Sequence, residues 1–567
     1  MPKFNSWWEQ AVQNRLVAVV LAMVVLVPLA AAPADVSRHG VAALVFEGFA
    51  IVLLATLLWR TDWDLQRDKL VEFARTGANV PVMLLLGIAL VSCLFSSHKA
   101  YSAQETLRLG TGVLLYLVIA YQFRRSEYLA KLVDVLVFLA IAASLLGFVQ
   151  FAASSEVYAI GMFGDHQLFG SFLMLLMPIV AITAITETKT NRQLAAQIAT
   201  IMTVACLLLT HTRSAWIGGG VGMAFLGLLA AYTLSRRARL GARKHEWALP
   251  VMMLVVAATF FLVISPDTGS IVQRASTLAQ PSQESGMHYR QNTARGALAM
   301  LKARPLTGWG IGLYPYYQRS FTGNGRVLSG ASTPHLDENA HNLYMQTAAE
   351  LGLPGVFLLV GIVVTFLVSG LKRLPQMEAG VRRNLLLGSM ASIVAFAVDA
   401  AGSPAWQLGQ NSMFFWLILG TGVSCLRPKP KQTETVTAAM VPRRFTRPMT
   451  VMATLGLAAL LPTVVLAIDA SYNELLFVTI SPTDARITGG TTEAYKLTAT
   501  YRNSTTRQRA SEDVTSQSTF TRKQGAGNMS SNSYVSNRRE RDNPKITGSY
   551  TYNSVTETSS TNLFVTP

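Results

Sequence analysis

Apolar runs of nearly twenty residues recur along most of this chain, and few architectures accommodate that pattern. A helix crossing a bilayer needs roughly 20 consecutive apolar residues. Runs of that kind lie near 15–33, 41–59, 79–95, 107–123, 132–151, 167–185, 195–211, 216–234, 248–265, 353–370, 385–401, 410–426 and 449–468. Only 14% of the 567 residues are charged, well below the roughly 25% usual in soluble domains. The expected fold is therefore an all-α polytopic membrane protein. The first run is followed by A-A-A-P-A, yet it is long for a signal sequence and weakly basic in front, so it reads as a retained helix.

Lys and Arg in the short loops set the orientation. With the N-terminus cytoplasmic and the spans alternating, the cytoplasmic loops hold about 26 of the 48 basic residues and the short outer loops about four. The net charge of +17 is thus mainly a topology signal, since the charges are spread among loops and not gathered in a nucleic-acid groove. Two long segments fall outside, 266–352 and 469–567. The expected organisation is 1–265 with nine spans, an outer loop 266–352, spans ten to twelve in 353–426, a basic linker 427–448, a thirteenth helix 449–468 and an outer domain 469–567. Cys93, Cys206 and Cys425 all sit in apolar runs, and no Cys/His cluster suggests a metal.

Composition changes near Leu475 to Thr, Ser, Asn and Tyr. In Y-K-L-T-A-T-Y-R, Tyr495, Leu497, Ala499 and Tyr501 alternate with polar residues, the period of a half-buried strand. The stretch V-T-I-S-P-T-D-A-R-I-T-G-G-T-T through D-V-T-S resembles a bacterial Ig-like domain over roughly 476–520. The Q-G-A-G-N-M-S-S-N-S stretch reads as a long loop before final strands such as S-Y-T-Y-N-S-V. The tail offers no paired carboxylates and no nucleophile with a base, so it is expected to bind cell-wall or glycan material or to act as a spacer.

The candidate chemistry gathers at span ends and in the outer loop, where charge at membrane depth is costly and points to function. His211 and Arg213 lie in L-L-L-T-H-T-R-S-A-W, where Arg213 reads equally well as an interface anchor beside Trp216. Ala294, Ala297, Leu298 and Leu301 recur at helical spacing in the outer loop, with Arg290 a turn before them. G-W-G-I-G follows, lacks a strand–turn–helix context, and reads as a structural turn. In D-E-N-A-H-N-L-Y-M-Q-T-A-A-E-L-G, His341 stands between Asn339 and Asn342 with Asp337 four residues back. If that piece is helical, the carboxylate orients the ring and raises its basicity. Gln346 and Glu350 continue a polar face that lipid would not tolerate, so the stretch reads as the rim of a polar cavity.

Taken in order, T-R-S-A-W at a helix end, one large outer loop with Y-R-Q…A-R-P-L-T-G-W-G-I-G, and H-N-L-Y-M-Q-T-A-A-E-L-G-L-P-G entering a span resemble the O-antigen ligase and polymerase superfamily. The resemblance covers roughly 15–426. M-F-G-D-H-Q-L-F-G is also similar but has Asp165–His166 where that family commonly has an Asn-Pro-Asn turn. It implies a GT-C-like bundle of twelve core helices, to which this chain adds a thirteenth helix and an Ig-like tail. It further implies transfer of a glycan from an undecaprenyl-diphosphate carrier to lipid A–core on the periplasmic face of the bacterial inner membrane, with no cofactor and no metal.

On that resemblance Arg213, Arg290 and His341 carry the activity. The two guanidinium groups bind the diphosphate and stabilise charge developing on the leaving group. His341 receives the acceptor proton or aligns its hydroxyl, and direct displacement inverts the anomeric centre. Arg295, Arg304, Arg108, His211, Asn342 and Asp337 are weaker contributors: Arg295 and Arg304 steer the donor or pair with loop carboxylates, Arg108 contacts a phosphate or snorkels, and for these three the pairing or snorkelling reading stands ahead. Joining of lipid-linked repeat units and transfer to Ser or Thr of a protein require the same cations and base, so ligase, polymerase and protein O-oligosaccharyltransferase all remain open. No internal repeat supports a transporter, and a surface receptor needs one helix, not thirteen.

Overall fold

The computed structural model describes residues 16–28, 45–50, 52–53, 72–74, 76–153, 158–163, 165–238, 285–321, 339–403 and 409–427. In the C-terminal part it describes 473–483, 485–488, 492–503, 509–523, 528–530, 532–535, 545–552 and 555–566. They fall into a helical unit and a β unit.

The helices are α1 (Leu16–Pro28), α2 (Asn79–Phe95), α3 (Lys99–Gln122), α4 (Ser126–Ala153), α5 (His166–Thr186), α6 (Thr190–Leu209), α7 (Arg213–Ala238), α8 (Ser285–Ala303), α9 (Tyr314–Phe321), α10 (Leu343–Arg373), α11 (Val381–Asp399) and α12 (Gly409–Leu426). Among the described residues six helices are long and apolar enough to cross a membrane: α4, α5, α6, α7, α10 and α11. The protein is a multi-pass membrane protein. The expected spans at 248–265 and 449–468 lie outside the described residues, and 41–59 is described only in part.

Helix α5 is the central post, buried along most of its length and packed on α4, α6, α7 and α11. Lipid supplies no hydrophobic drive for helices to associate, so close approach depends on small side chains. Gly218 and Gly222, one turn apart on α7, meet that need against α11. A Cβ on Gly218 would lie 2.6 Å from the Ala395 carbonyl oxygen, and one on Gly222 would lie 2.8 Å from that of Ala391. Nearer the start of α11, a Cβ on Gly388 would lie 3.1 Å from the α5 backbone at Ile179. Outward faces are apolar, as at Phe138, Leu228 and Phe357, which suits contact with lipid tails.

The expected tenth span, 353–370, is the second part of α10. Gly352 breaks the helix with φ 71° and ψ −171°, so residues 343–351 form a separate short helix ahead of the apolar part. A side chain at Gly352 would strike the Leu306 and Pro305 backbone.

In the β unit, β1 (Asn473–Ser481), β4 (Lys496–Asn503) and β5 (Arg509–Asp513) form one antiparallel sheet in the order β1-β4-β5. A second has the order β2-β10-β9-β6, from β2 (Ala485–Thr488), β6 (Thr519–Lys523), β9 (Lys545–Tyr552) and β10 (Val555–Thr566), with β2 parallel to β10. The inward set on β4 includes Leu497 and Ala499, which pack with Tyr495, Val478, Ile480, Val514, Ile546 and Tyr550. Gly548 on β9 leaves room for Leu497 across the two sheets. The expected long loop after 520 is in part a short hairpin, with β7 (Asn528–Ser530) paired to β8 (Ser533–Val535) and β8 to β3 (Thr492–Ala494).

Candidate active site

The C-terminal end of α11 is a meeting point for three other helices. Asp399 is fully buried, and its Oδ2 accepts a hydrogen bond from Ser171 Oγ of α5 at 2.6 Å. Ser403 Oγ lies 3.2 Å from Ser171 Oγ, and the Ser214 and Ser403 hydroxyls also stand close enough to act on the Asp399 carboxyl. Ser214 is the second residue of α7, so this contact fixes the start of that helix. The N-terminus of α10 docks on the same turn. Leu343 N–H donates to the Ala400 carbonyl at 2.8 Å, Asn342 Nδ2 to that of Ala401 at 2.9 Å, and Tyr344 OH to that of Ala397 at 2.7 Å. A buried carboxylate at a span end is costly unless it is hydrogen-bonded, and here hydroxyls supply those bonds.

This geometry carries His341 and Arg213 to one end of the bundle, because each is the neighbour of a residue held on the 399–403 turn. Asn342 caps α10, its Oδ1 accepting from Met345 N–H at 3.0 Å, while His341 N–H donates to Asn339 Oδ1 at 3.0 Å. His341 is left in the left-handed region at φ 48°, and His211 likewise at φ 52°. Non-glycine residues rarely adopt that conformation, and such strain gathers at functional sites.

Arg290 reaches the same place from α8. Thr293, one turn on, donates through Oγ1 to the Arg290 carbonyl at 3.0 Å and to the Ala340 carbonyl at 3.3 Å. The Arg290 charge is felt at both His341 and Asp399. Burial first, and then that guanidinium, hold the His341 imidazole down at about 4, while Asp165 pulls the other way. The expectation of a raised basicity is thus reversed, because desolvation penalises the imidazolium and a cation stands nearby. At neutral pH the ring is uncharged and able to accept a proton.

Asp337 lies outside the described residues. The carboxylate whose charge does reach His341 is Asp165, which caps α5 by accepting from Gln167 and Leu168 N–H at 2.8 and 3.0 Å. The Asp165–His166 departure from the familiar turn therefore still performs a helix-start function.

His211 is buried in an aromatic group. Its ring meets Tyr158 edge-on at 5.5 Å, and Tyr158 stacks on His166 at 4.6 Å. Trp216 donates through Nε1 to the Leu207 carbonyl at 2.9 Å, so it locks the α6–α7 corner. Among the remaining candidates, Arg295 is exposed on α8. Arg304 lies over the Trp309 ring at 4.0 Å. Arg108 pairs with Glu105 at 2.7 Å and approaches Glu47 at 4.0 Å.

G-W-G-I-G is a structural turn. Gly308, Gly310 and Gly312 all have positive φ, and a Cβ on Gly308 would lie 2.2 Å from the Glu350 carbonyl oxygen. Trp309 and Gly310 N–H groups donate to the Ala349 and Glu350 carbonyls, both at 3.0 Å. The Glu350 carboxylate in turn accepts from Gly312 N–H at 2.9 Å and Tyr314 N–H at 3.3 Å. The polar face at Gln346 and Glu350 therefore points to this loop and not into an open cavity, which corrects the rim reading for those two residues.

Sequence reasoning missed Asp399 and its three serines. The available signal was a lone acid closing an apolar span in A-V-D-A-A-G-S-P. Among the described residues no three His, Cys, Asp or Glu side chains are grouped to hold a metal ion.

No curated protein matches the chain. Residues 198–360, less than half of it, match the family model described as O-antigen ligase. That stretch contains Arg213, Arg290 and His341 with the turns that hold them, and the match supports membership of the O-antigen ligase and polymerase superfamily.

Proposed function

We propose that this protein is an O-antigen ligase, moving a polysaccharide from undecaprenyl diphosphate to lipid A–core at the periplasmic face of the inner membrane. The observation that carries the reading is the placement of Arg290 where its charge reaches both a neutral, strained His341 and the buried Asp399. The orientation has its own support. Lys189, Arg192, Arg373, Arg382 and Arg383 lie at the helix ends opposite this cluster, as expected if those ends face the cytoplasm.

In the proposed reaction the acceptor hydroxyl oxygen attacks the anomeric carbon as the bond to the diphosphate oxygen breaks. The departing electron pair stays on the diphosphate, against Arg290 and Arg213. The hydroxyl proton passes to His341. The attack inverts the anomeric centre. A diphosphate beside Arg290 also offsets the cation that depresses the imidazole, so donor binding strengthens the base. Asp399 holds the turn that carries both His341 and α7. The β unit serves as an Ig-like, non-catalytic periplasmic domain.

Complementation of two null strains, one lacking the ligase and one lacking the polymerase, tests this with wild type and His341→Ala. Long-chain lipopolysaccharide restored only in the ligase null, and only by wild type, supports the proposal. Rescue of the polymerase null instead moves the activity to joining repeat units, and equal rescue by His341→Ala removes the base from the mechanism.

A further inference from the structure

Five residues, from α8, α9, α10 and the segment just before α10, close a ring of hydrogen bonds next to the candidate site. Ala340 N–H donates to Gln346 Oε1 at 3.1 Å, and Gln346 Nε2 donates to Glu350 Oε1 at 2.9 Å. The same Oε1 accepts from Tyr314 N–H at 3.3 Å. Tyr314 OH then donates to the Thr293 carbonyl at 2.9 Å, and Thr293 Oγ1 to the Ala340 carbonyl at 3.3 Å, which closes the circuit. Thr293 and Tyr314 are fully buried, and Gln346 and Glu350 are at most 8% exposed.

We infer that this ring is the positioning device of the reaction: it fixes the separation of Arg290, one turn before Thr293, from His341, which follows Ala340. The assignment rests on the transferase reading given above. Arg290 and His341 lie on segments separated by a long stretch of chain, so helix geometry alone does not set their spacing. The ring does, because one of its links joins the two segments directly and the other four join them through α9 and the Glu350 carboxylate. Buried networks of this kind act as units, and double-mutant cycles are the clean way to apportion them. A small misplacement of reacting groups is enough to matter, since about 1 Å can cost on the order of a hundredfold in rate.

A single cut leaves the two segments joined by the other route, and only a cut in each route releases them. Thr293→Val keeps the volume and removes the direct link to Ala340; Tyr314→Phe removes the link to the Thr293 carbonyl on the second route. In purified full-length protein, each is expected to lower kcat about tenfold with KM for the lipid-linked donor changed less than about twofold. The double variant leaves neither route and is expected to lose more than the roughly hundredfold of independent effects. Thr293→Ser, which keeps the hydroxyl and loses the methyl, is expected to retain the wild-type rate. Hydrogen exchange gives a readout that needs no activity: Thr293→Val is expected to speed exchange at Gly312, Tyr314 and Ala340 together. Kinetic losses that are only multiplicative or smaller, a rate that follows side-chain volume rather than the hydroxyl, or faster exchange confined to the neighbours of Thr293 would each overturn the inference. If wild type transfers no glycan, the transferase reading fails by itself, and the exchange pattern still decides whether the ring is one unit.

Discussion

Mild acid is expected to leave glycan transfer intact, although the proposed base is a histidine. His341 sits at about 4 because burial and Arg290 both disfavour the imidazolium. At pH 5.5 such a ring is ~3% protonated, whereas one at the ordinary 6.5 is ~90% protonated. The pH dependence of kcat/KM reports the free enzyme, and that of kcat the donor complex. Measured with purified protein in lipid, kcat/KM is therefore expected to change by less than about 10% between pH 7 and pH 5.5 through this group. Because diphosphate offsets Arg290, the acid limb of kcat is expected at a higher pH than that of kcat/KM. Stability follows the same sign. A folded-state value below the unfolded one adds stability fully present above 6.5 and lost as pH falls toward 4, up to about 3 kcal/mol. The His341→Asn variant lacks that component, so the difference in unfolding midpoints between the two proteins isolates it. A tenfold fall in kcat/KM by pH 5.5, with the same fall absent from the stability difference, would refute the low basicity and the buried Arg290–His341 pairing behind it.

Other perturbations test the remaining parts. Gly218→Val drives a side chain into the Ala395 carbonyl and Met174; overpacking of that kind costs about 1–3 kcal/mol, read as a lower melting temperature, and an unchanged value would mean that α7 and α11 are not in close contact. Asp399→Asn keeps an acceptor for Ser171 but removes the charge that faces Arg290; a folded protein with transfer reduced on the order of a hundredfold is expected, and full activity would remove Asp399 from the site. Arg108→Ala breaks its pairs with Glu105 and Glu47 and touches nothing else the mechanism uses, so KM for the donor should hold; a tenfold rise would instead put Arg108 on the diphosphate. Leu497→Ala empties the centre of the β unit and is expected to cost that unit about 2–5 kcal/mol by thermal unfolding, with transfer unaffected if the unit is non-catalytic.

The sequence by itself determined the membrane class and most helix positions, and it supplied the residues of the candidate site. Apolar runs and period-two alternation are local signals, and bilayer thickness and sheet pleat translate them directly into spans and into the inward face of β4. His341 and Arg290 were legible for a similar reason, since polar and charged residues beside spans stand out against so much apolar chain. Tertiary structure alone decided which of them lie together. Asp399 reads in sequence as one acid at a helix end, and only the packing of α5, α7 and α10 around it supplies Ser171, Ser214 and the docking turn for Asn342. The basicity of His341 was misjudged because the nearest acid in sequence stood in for the nearest charges in space. Burial and a cation from a distant helix set that property, and neither is written in the neighbouring residues.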